Sequence, residues 1–337
     1  MRNRIVSLFI IIFPILSYSQ ERSIKNLVFE GAGIRGIAYC GAIGALEGKG
    51  IMPSIEKVGG TSAGAITALC VSLGYTAAEI EEILHSTNFK KFNDGRFFFA
   101  GGIHRVNKYF GWYRGEKFTK WLDKIIEKKT GNGNISFAQL REKGFKELYI
   151  TATSLNEQKM VVLSHLTYPN MRLKDAVRIS ISIPLYFEAV FMDKDGKIFP
   201  SPTYKEGLSV MVDGGFIGNF PIRIFDSLYQ DSVDHPVYVN NQTVGFRIDS
   251  DNQIKNDKDG KGLAAMPVNN LREYAAAFYN MILENLNRQT LSADDWKRTV
   301  SISDGNVGPR IRKLSRAEID TLIHNGRVAT EQFLSNK

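Results

Sequence analysis

Two short glycine-framed segments place a reactive side chain where an apolar run gives way to a helix. The first is Gly60-Thr61-Ser62-Ala63-Gly64, between a run ending at Val58 and a helix of small residues. In a G-x-S-x-G pattern the flanking glycines permit a cramped turn that pushes the serine hydroxyl out at the C-terminal edge of a sheet. The dipole of the following helix then favours negative charge beside that hydroxyl. The same serine could instead serve as a helix cap. No Lys follows Gly64, which excludes a phosphate-cradling Walker loop. The second segment is Asp213-Gly214-Gly215, after the apolar run Leu208 to Val212. A serine hydroxyl is a weak nucleophile until a base takes its proton, and an aspartate held about 3 Å away could do so directly. Asp-Gly alone is most often an ordinary turn; its combination with the serine motif is what gives it weight.

A third segment, Gly31-Ala32-Gly33-Ile34-Arg35-Gly36, also lies between a strand and a helix. Its G-x-G-x-x-G form is that of a dinucleotide fingerprint. The acidic residue that such a site needs about 20 positions on, at the end of the next strand, is missing. Glu47 falls in the helix and Glu56 at the start of the strand. The same geometry supplies a ring of backbone N–H donors for a developing oxyanion.

The surrounding pattern alternates strands and helices. Strands are expected at Leu27 to Phe29, Ile55 to Val58, Glu147 to Thr153, Met160 to Ser164, Leu208 to Val212 and Thr243 to Ile248. Helices are expected from about Ile37 to Leu46, from Ala65 to Leu73, after the capping box Thr76…Glu79, around Phe118 to Ile126, from Leu271 to about Arg288 and from Ser315 to near Leu334. Asp249 to Gly262 reads as a mobile loop. Strands joined by crossover helices predict a three-layer α/β/α sandwich with a mainly parallel central sheet.

The 337 residues are 43% hydrophobic and 23% charged, which excludes disordered, collagen-like and low-complexity classes. The 43 Lys and Arg against 35 Asp and Glu give +8, with no basic run dense enough for nucleic acid. Met1 to Arg4 is basic, Ile5 to Leu16 is apolar but too short for a span of about 20 residues, and Ser17-Tyr18-Ser19 offers small residues for cleavage before Gln20. The expectation is a signal peptide over 1–19 and an exported chain, periplasmic, outer-membrane-associated or secreted. The remaining 20–337 are expected to form one domain, with a motif core of about 26–221 and a helical C-terminal extension of about 263–337. Cys40 and Cys70 fall among small apolar residues and read as buried free thiols.

Taken together, the three glycine motifs in this order resemble the patatin-like phospholipase family. Thr151-Ala152-Thr153 looks like that family's strand after the cap helices, Ser180 to Phe187 like its small-residue helix ending in Pro and Phe, and Asn219-Phe220-Pro221 like the segment after the catalytic turn, firmly over about Asn26 to Pro221. The resemblance implies a Ser62–Asp213 dyad without histidine and an oxyanion hole from the backbone of Gly31, Ala32 and Gly33. Arg35 would fix that loop or meet a phosphate headgroup, and Gly36, Gly60, Gly64, Gly214 and Gly215 would support the turns. It implies hydrolysis of fatty esters through an acyl-enzyme, with a lipid or membrane-surface substrate and no cofactor, metal, nucleotide or nucleic acid. Two departures are Ala32, where many members carry glycine, and Glu30, where aspartate or glycine is usual.

Two alternatives stand beside this reading. His235 and His324 follow Asp213, so chain order permits a Ser-Asp-His triad of soluble-ester hydrolase type. The stretch Phe89 to Tyr113 mixes aromatic with basic residues and suits either a cap over the cleft or a non-catalytic lipid-binding surface.

Overall fold

The computed structural model describes residues 23–95, 100–199, 207–226, 238–308 and 312–336, apart from 272, 275–276, 279–280, 282–283, 285–287 and 289–290 within the fourth stretch. The leader, Phe97, Phe98, Phe99 and His235 lie outside the described residues.

The strands are β1 (Asn26–Phe29), β2 (Lys57–Gly60), β3 (Gly111–Tyr113), β4 (Glu147–Ser154), β5 (Lys159–Leu163), β6 (Leu185–Phe187), β7 (Val190–Met192), β8 (Ile198–Phe199), β9 (Ser209–Asp213), β10 (Thr243–Asp249) and β11 (Thr299–Ser303). The main sheet runs β11-β10-β1-β2-β4-β9-β7-β8, with β5 also paired to β4. From β11 to β4 every pairing is parallel, and β1 lies at the centre of that half between β10 and β2. Its four residues are all buried, as expected of a parallel strand covered on both faces. Beyond β4 the sheet turns antiparallel through β9, β7 and β8. These edge strands are only two to five residues long. β3 and β6 form a separate two-stranded sheet.

Helices α1 (Ala38–Gly48) and α2 (Ala63–Ser72) follow β1 and β2, and small residues let them pack closely. A side chain at Gly41 would collide with the backbone of Ile323 on the C-terminal helix Arg316–Ser335, and one at Gly326 with the Ala38 carbonyl. Helices α3 (Ala77–Ser86), α4 (Ala100–Tyr109), α5 (Glu116–Thr130), α6 (Phe137–Glu142) and α7 (Leu173–Ser180) fill the long connections. The Thr76/Glu79 and Ser315/Glu318 capping boxes both form. The α/β/α sandwich is therefore the fold observed, with one antiparallel edge that the sequence pattern does not reveal.

Three local expectations are corrected. The second strand lies at Lys57–Gly60, not Ile55 to Val58, because Gly59 and Gly60 complete the ladder between β1 and β4. The helix before Pro184 ends at Ser180, and Leu185 opens strand β6. The supposed loop after Asp249 contains helix α8 (Asp251–Lys258), capped by the Ser250 hydroxyl and anchored by buried Gln253. Cys40 and Cys70 are buried free thiols, and burial pushes the Cys70 thiol up to about 12.

Candidate active site

Ser62 sits between β2 and α2 at φ 51°, ψ −116°, a backbone state rare for a residue with a side chain. The flanking glycines make the turn possible. A Cβ at Gly60 would strike the Gly64 carbonyl, and one at Gly64 would strike the carbonyls of Phe29 and Glu30. The turn is pinned from outside: the Ser62 N–H donates to Ser180 Oγ at 2.8 Å, and the Thr61 N–H to the Phe29 carbonyl at 3.2 Å. Buried beneath it, the Thr61 hydroxyl meets Thr151 Oγ1 at 2.5 Å and donates to the Gly218 carbonyl at 2.7 Å.

Asp213 ends β9, in antiparallel register with Ala152, and its N–H donates to the Ser182 carbonyl at 3.0 Å. Gly214 fits because a side chain there would strike Thr151. The Asp213 carboxyl accepts the Gly215 N–H at 2.7 Å and has the Ser62 side chain as a further hydrogen-bond partner. Burial pushes this carboxyl from its ordinary 3.8 up to about 7, against the lowering pull of those two hydrogen bonds. A hydroxyl facing a carboxyl poised near neutral pH can pass its proton in one step.

The Gly31–Gly36 loop lies alongside. A Cβ at Gly31 would stand 3.3 Å from that of Ser62 and would clash with Asn219 Oδ1. Gly33 adopts φ +57°, the left-handed region in which glycine is favoured, while Ala32 at φ −133° needs no glycine. The three loop N–H groups are not equivalent. That of Gly31 is already donated to the Asn219 carbonyl at 3.0 Å. Those of Ala32 and Gly33 have no acceptor among the described residues. Of the two roles expected for Arg35, the structure displays the brace: its Nε donates to the Ala32 carbonyl at 3.2 Å, and Nη1 lies 3.5 Å from Asp304. Gly36 packs against the Ala63 methyl, where an added Cβ would approach to 3.0 Å.

Ser180, Ser182 and Asn219 were visible in the sequence as parts of segments, not as contacts of the site. Glu30 proves to be a buried carboxyl joined to Arg247, 217 positions later, at 3.1 Å. Among the described residues, no histidine contributes to this geometry. His324 is exposed on the C-terminal helix, and His165 lies 3.7 Å from Glu147. The aromatic stretch is partly core: Phe92 is buried against Phe89, Phe118 and Trp121.

The chain is similar to known proteins in sequence and in fold. The chain is 30% identical over 255 residues to protein R571 of Acanthamoeba polyphaga mimivirus, covering 75% of this chain and 74% of that one. It is 27% identical over 206 residues to the probable lipid hydrolase 463L of Invertebrate iridescent virus 6, covering 59% of this chain and 62% of that one. Among solved structures, VipD from Legionella pneumophila superposes with a TM-score of 0.56 at 16% identity, over 93% of this chain and 67% of that one, a likeness of fold. The patatin-like phospholipase model matches residues 27–226, from β1 to just beyond the Asp213 turn, and with it the chain belongs to the patatin-like phospholipase family of ester-hydrolysing enzymes.

Proposed function

We propose that the protein is a serine acyl hydrolase that cleaves fatty-acyl esters of phospholipids or related lipids with Ser62 as nucleophile and Asp213 as general base. The observation that carries this reading is the strained Ser62 elbow with the desolvated Asp213 carboxyl as its hydrogen-bond partner, beside the unengaged Ala32 and Gly33 N–H groups. Asp213 takes the hydroxyl proton as Ser62 Oγ bonds to the ester carbonyl carbon. The carbonyl oxygen becomes an oxyanion facing Ala32 and Gly33, with the N-terminus of α2 adding positive potential. Collapse breaks the ester C–O bond, and the leaving alcohol receives the proton from Asp213. Water then attacks the acyl-enzyme, giving its proton to Asp213, and Ser62 leaves with that proton as the fatty acid is released. Gly31, engaged with Asn219, shapes the loop in this scheme and donates nothing to the oxyanion.

The basic-then-apolar leader supports export as part of the proposal, and mass spectrometry of the mature N-terminus tests it by finding Gln20 first. The enzymatic test is fatty-acid release from phospholipid vesicles beside hydrolysis of a soluble short-chain ester. Wild type is expected to cleave both, and Ser62→Ala and Asp213→Ala neither. Cleavage of the soluble ester alone would remove the phospholipid substrate. Unchanged activity in Ser62→Ala would remove the mechanism.

A further inference from the structure

The donors assigned to the oxyanion sit on a loop with few bonds of its own, so something outside must hold it. Asn219 clasps Gly31 from both sides: its carbonyl accepts the Gly31 N–H at 3.0 Å, and its Nδ2 donates to the Gly31 carbonyl at 3.1 Å. The same Nδ2 reaches Glu30 Oε1 at 3.3 Å. Glu30 is itself 2% exposed, and its other oxygen accepts the Ile248 N–H at 3.2 Å. Behind both stands Arg247, whose side chain is fully buried. Its Nη2 lies 3.1 Å from Glu30, and its guanidinium carbon lies 5.1 Å from the centre of the Phe220 ring and 5.6 Å from that of Trp296. One rigid planar group thus touches the residue before Gly31 and the residue after Asn219. Asp249 lies 3.4 Å from its Nε and Glu284 3.1 Å from the same Nη2, while Nη1 has no hydrogen-bond partner among the described residues.

A buried ion pair returns little net stability, because desolvation consumes most of the Coulombic gain. What it does enforce is position, and oxyanion donors lose their value when displaced by about 0.5 Å. We infer that Arg247 is a positioning residue for the Gly31–Gly33 loop, acting through Glu30 and Phe220 on the Asn219–Gly31 clasp. The inference rests on the reading of that loop as the oxyanion cradle. Arginine suits the task because its flat guanidinium can pair with a carboxylate at one edge while lying over a ring.

The test measures kcat and KM on a soluble ester with the full chain, together with amide hydrogen exchange. Arg247→Met is expected to lower kcat by about 10- to 100-fold with KM nearly unchanged, the signature of lost transition-state stabilisation. Arg247→Lys should recover part of the rate, because the ammonium still pairs with Glu30 but loses the planar contact with Phe220. Exchange at amides 31–34 should rise in Arg247→Met while α5 stays protected. If Arg247→Met fails to fold, Glu30→Gln replaces it: the amide keeps the volume but sets a donor against Asn219, Arg247 or Ile248, and kcat should fall with KM unchanged. Wild-type kcat in the folded variants would overturn the inference. So would a rate loss that tracks a fall in Tm and raised exchange throughout the fold. If Ser62→Ala is inactive while Arg247→Met is fully active, only the positioning role fails. If Ser62→Ala remains active, the reading beneath it fails as well.

Discussion

Asp213 and Asp249 are both buried aspartates at the ends of strands in the same sheet, and their surroundings drive them in opposite directions. Around Asp213 there is a backbone N–H and a hydroxyl but, among the described residues, no paired cation, and burial lifts it to about 7. Burial opposes ionisation of Asp249 too. There the Arg247 and Arg288 guanidiniums outweigh it and hold the carboxyl below the ordinary aspartate range. At Glu30 burial, with Asp249 and Glu284 nearby, raises the carboxyl against the pull of Arg247, so a neighbouring cation does not by itself settle the outcome. Desolvation left uncompensated makes a base; desolvation answered by two guanidiniums makes a fixed part of the frame. The Gly31–Gly36 loop lies where the two regimes meet.

The sharpest way to break this contrast is Asp213→Asn. The amide keeps the shape and cannot take the Ser62 proton, so kcat should fall by about 10³- to 10⁴-fold. Stability should move the other way. Because the folded-state value is raised, ionising Asp213 costs stability progressively as pH rises from about 4 through about 7. At pH 8, above both values, the Asn variant should therefore melt a few degrees higher than wild type, a gain that calorimetry would see vanish near pH 4. Ionisation also sets the pH–rate profile. In wild type kcat/KM should climb about tenfold per pH unit up to about 7 and then level off. A profile already flat at pH 5 would mean that the base is not raised by burial, and Asp213→Asn would then decide alone whether Asp213 is that base.

A second prediction tests the structural half on a cluster outside the site. Arg298 donates to both oxygens of Asp226, at 2.7 and 2.6 Å, and to Asp295 at 2.7 Å, all three side chains being almost fully buried. Arg298→Met leaves those carboxylates without that partner and should cost about 3–5 kcal/mol in urea titrations. At a temperature where the variant stays folded, its kcat and KM should match wild type. Hydrogen bonds from Arg223, Arg298 and Ser292 hold Asp295 far below its ordinary range despite burial. Its contribution is therefore complete above about pH 4 and is lost as pH falls below that, so the wild-type advantage over Arg298→Met should be constant from about pH 7 to about pH 5 and shrink as pH falls below about 4. A large kcat loss in the folded variant would erase the distinction between frame and site.

Much of the reactive half was legible because it is written locally. The elbow, the Asp-Gly-Gly turn and the glycine loop each lie within six consecutive residues, and the collisions that added Cβ atoms would suffer at Gly60, Gly64 and Gly214 explain why glycine stands there. The frame is not local. Glu30 meets Arg247 across 217 positions, and Arg247 meets Glu284 across another 37, pairings that no periodicity encodes. The helix α8 was hidden for the same reason. Its sequence, Asp251-Asn252-Gln253-Ile254-Lys255-Asn256-Asp257-Lys258, carries one apolar residue, and it is held by buried Gln253 and an ion pair from Asp257 to Arg288. The expectation that three loop N–H groups face the oxyanion missed that Asn219, on a distant segment, already uses the first.

The smallest effect is expected where a triad would demand the largest. A histidine acting between Ser62 and Asp213 would have to displace the direct hydrogen bond between those side chains. In place of a histidine, the carboxyl's nearest backbone donor is the Gly215 N–H at 2.7 Å, two residues along its own turn. His324 is exposed on the C-terminal helix, with Ile319 and Leu322, not itself, turned into the core. Ala substitutions at His324 and at His235 should each leave kcat/KM on a soluble ester within about twofold of wild type, against losses of several orders of magnitude for a catalytic histidine. A collapse of activity in one of them, with the fold intact, would replace the dyad by a triad. The pH–rate limb near 7 would then belong to an imidazole, and Asp213→Asn would show its loss through the orientation of that ring.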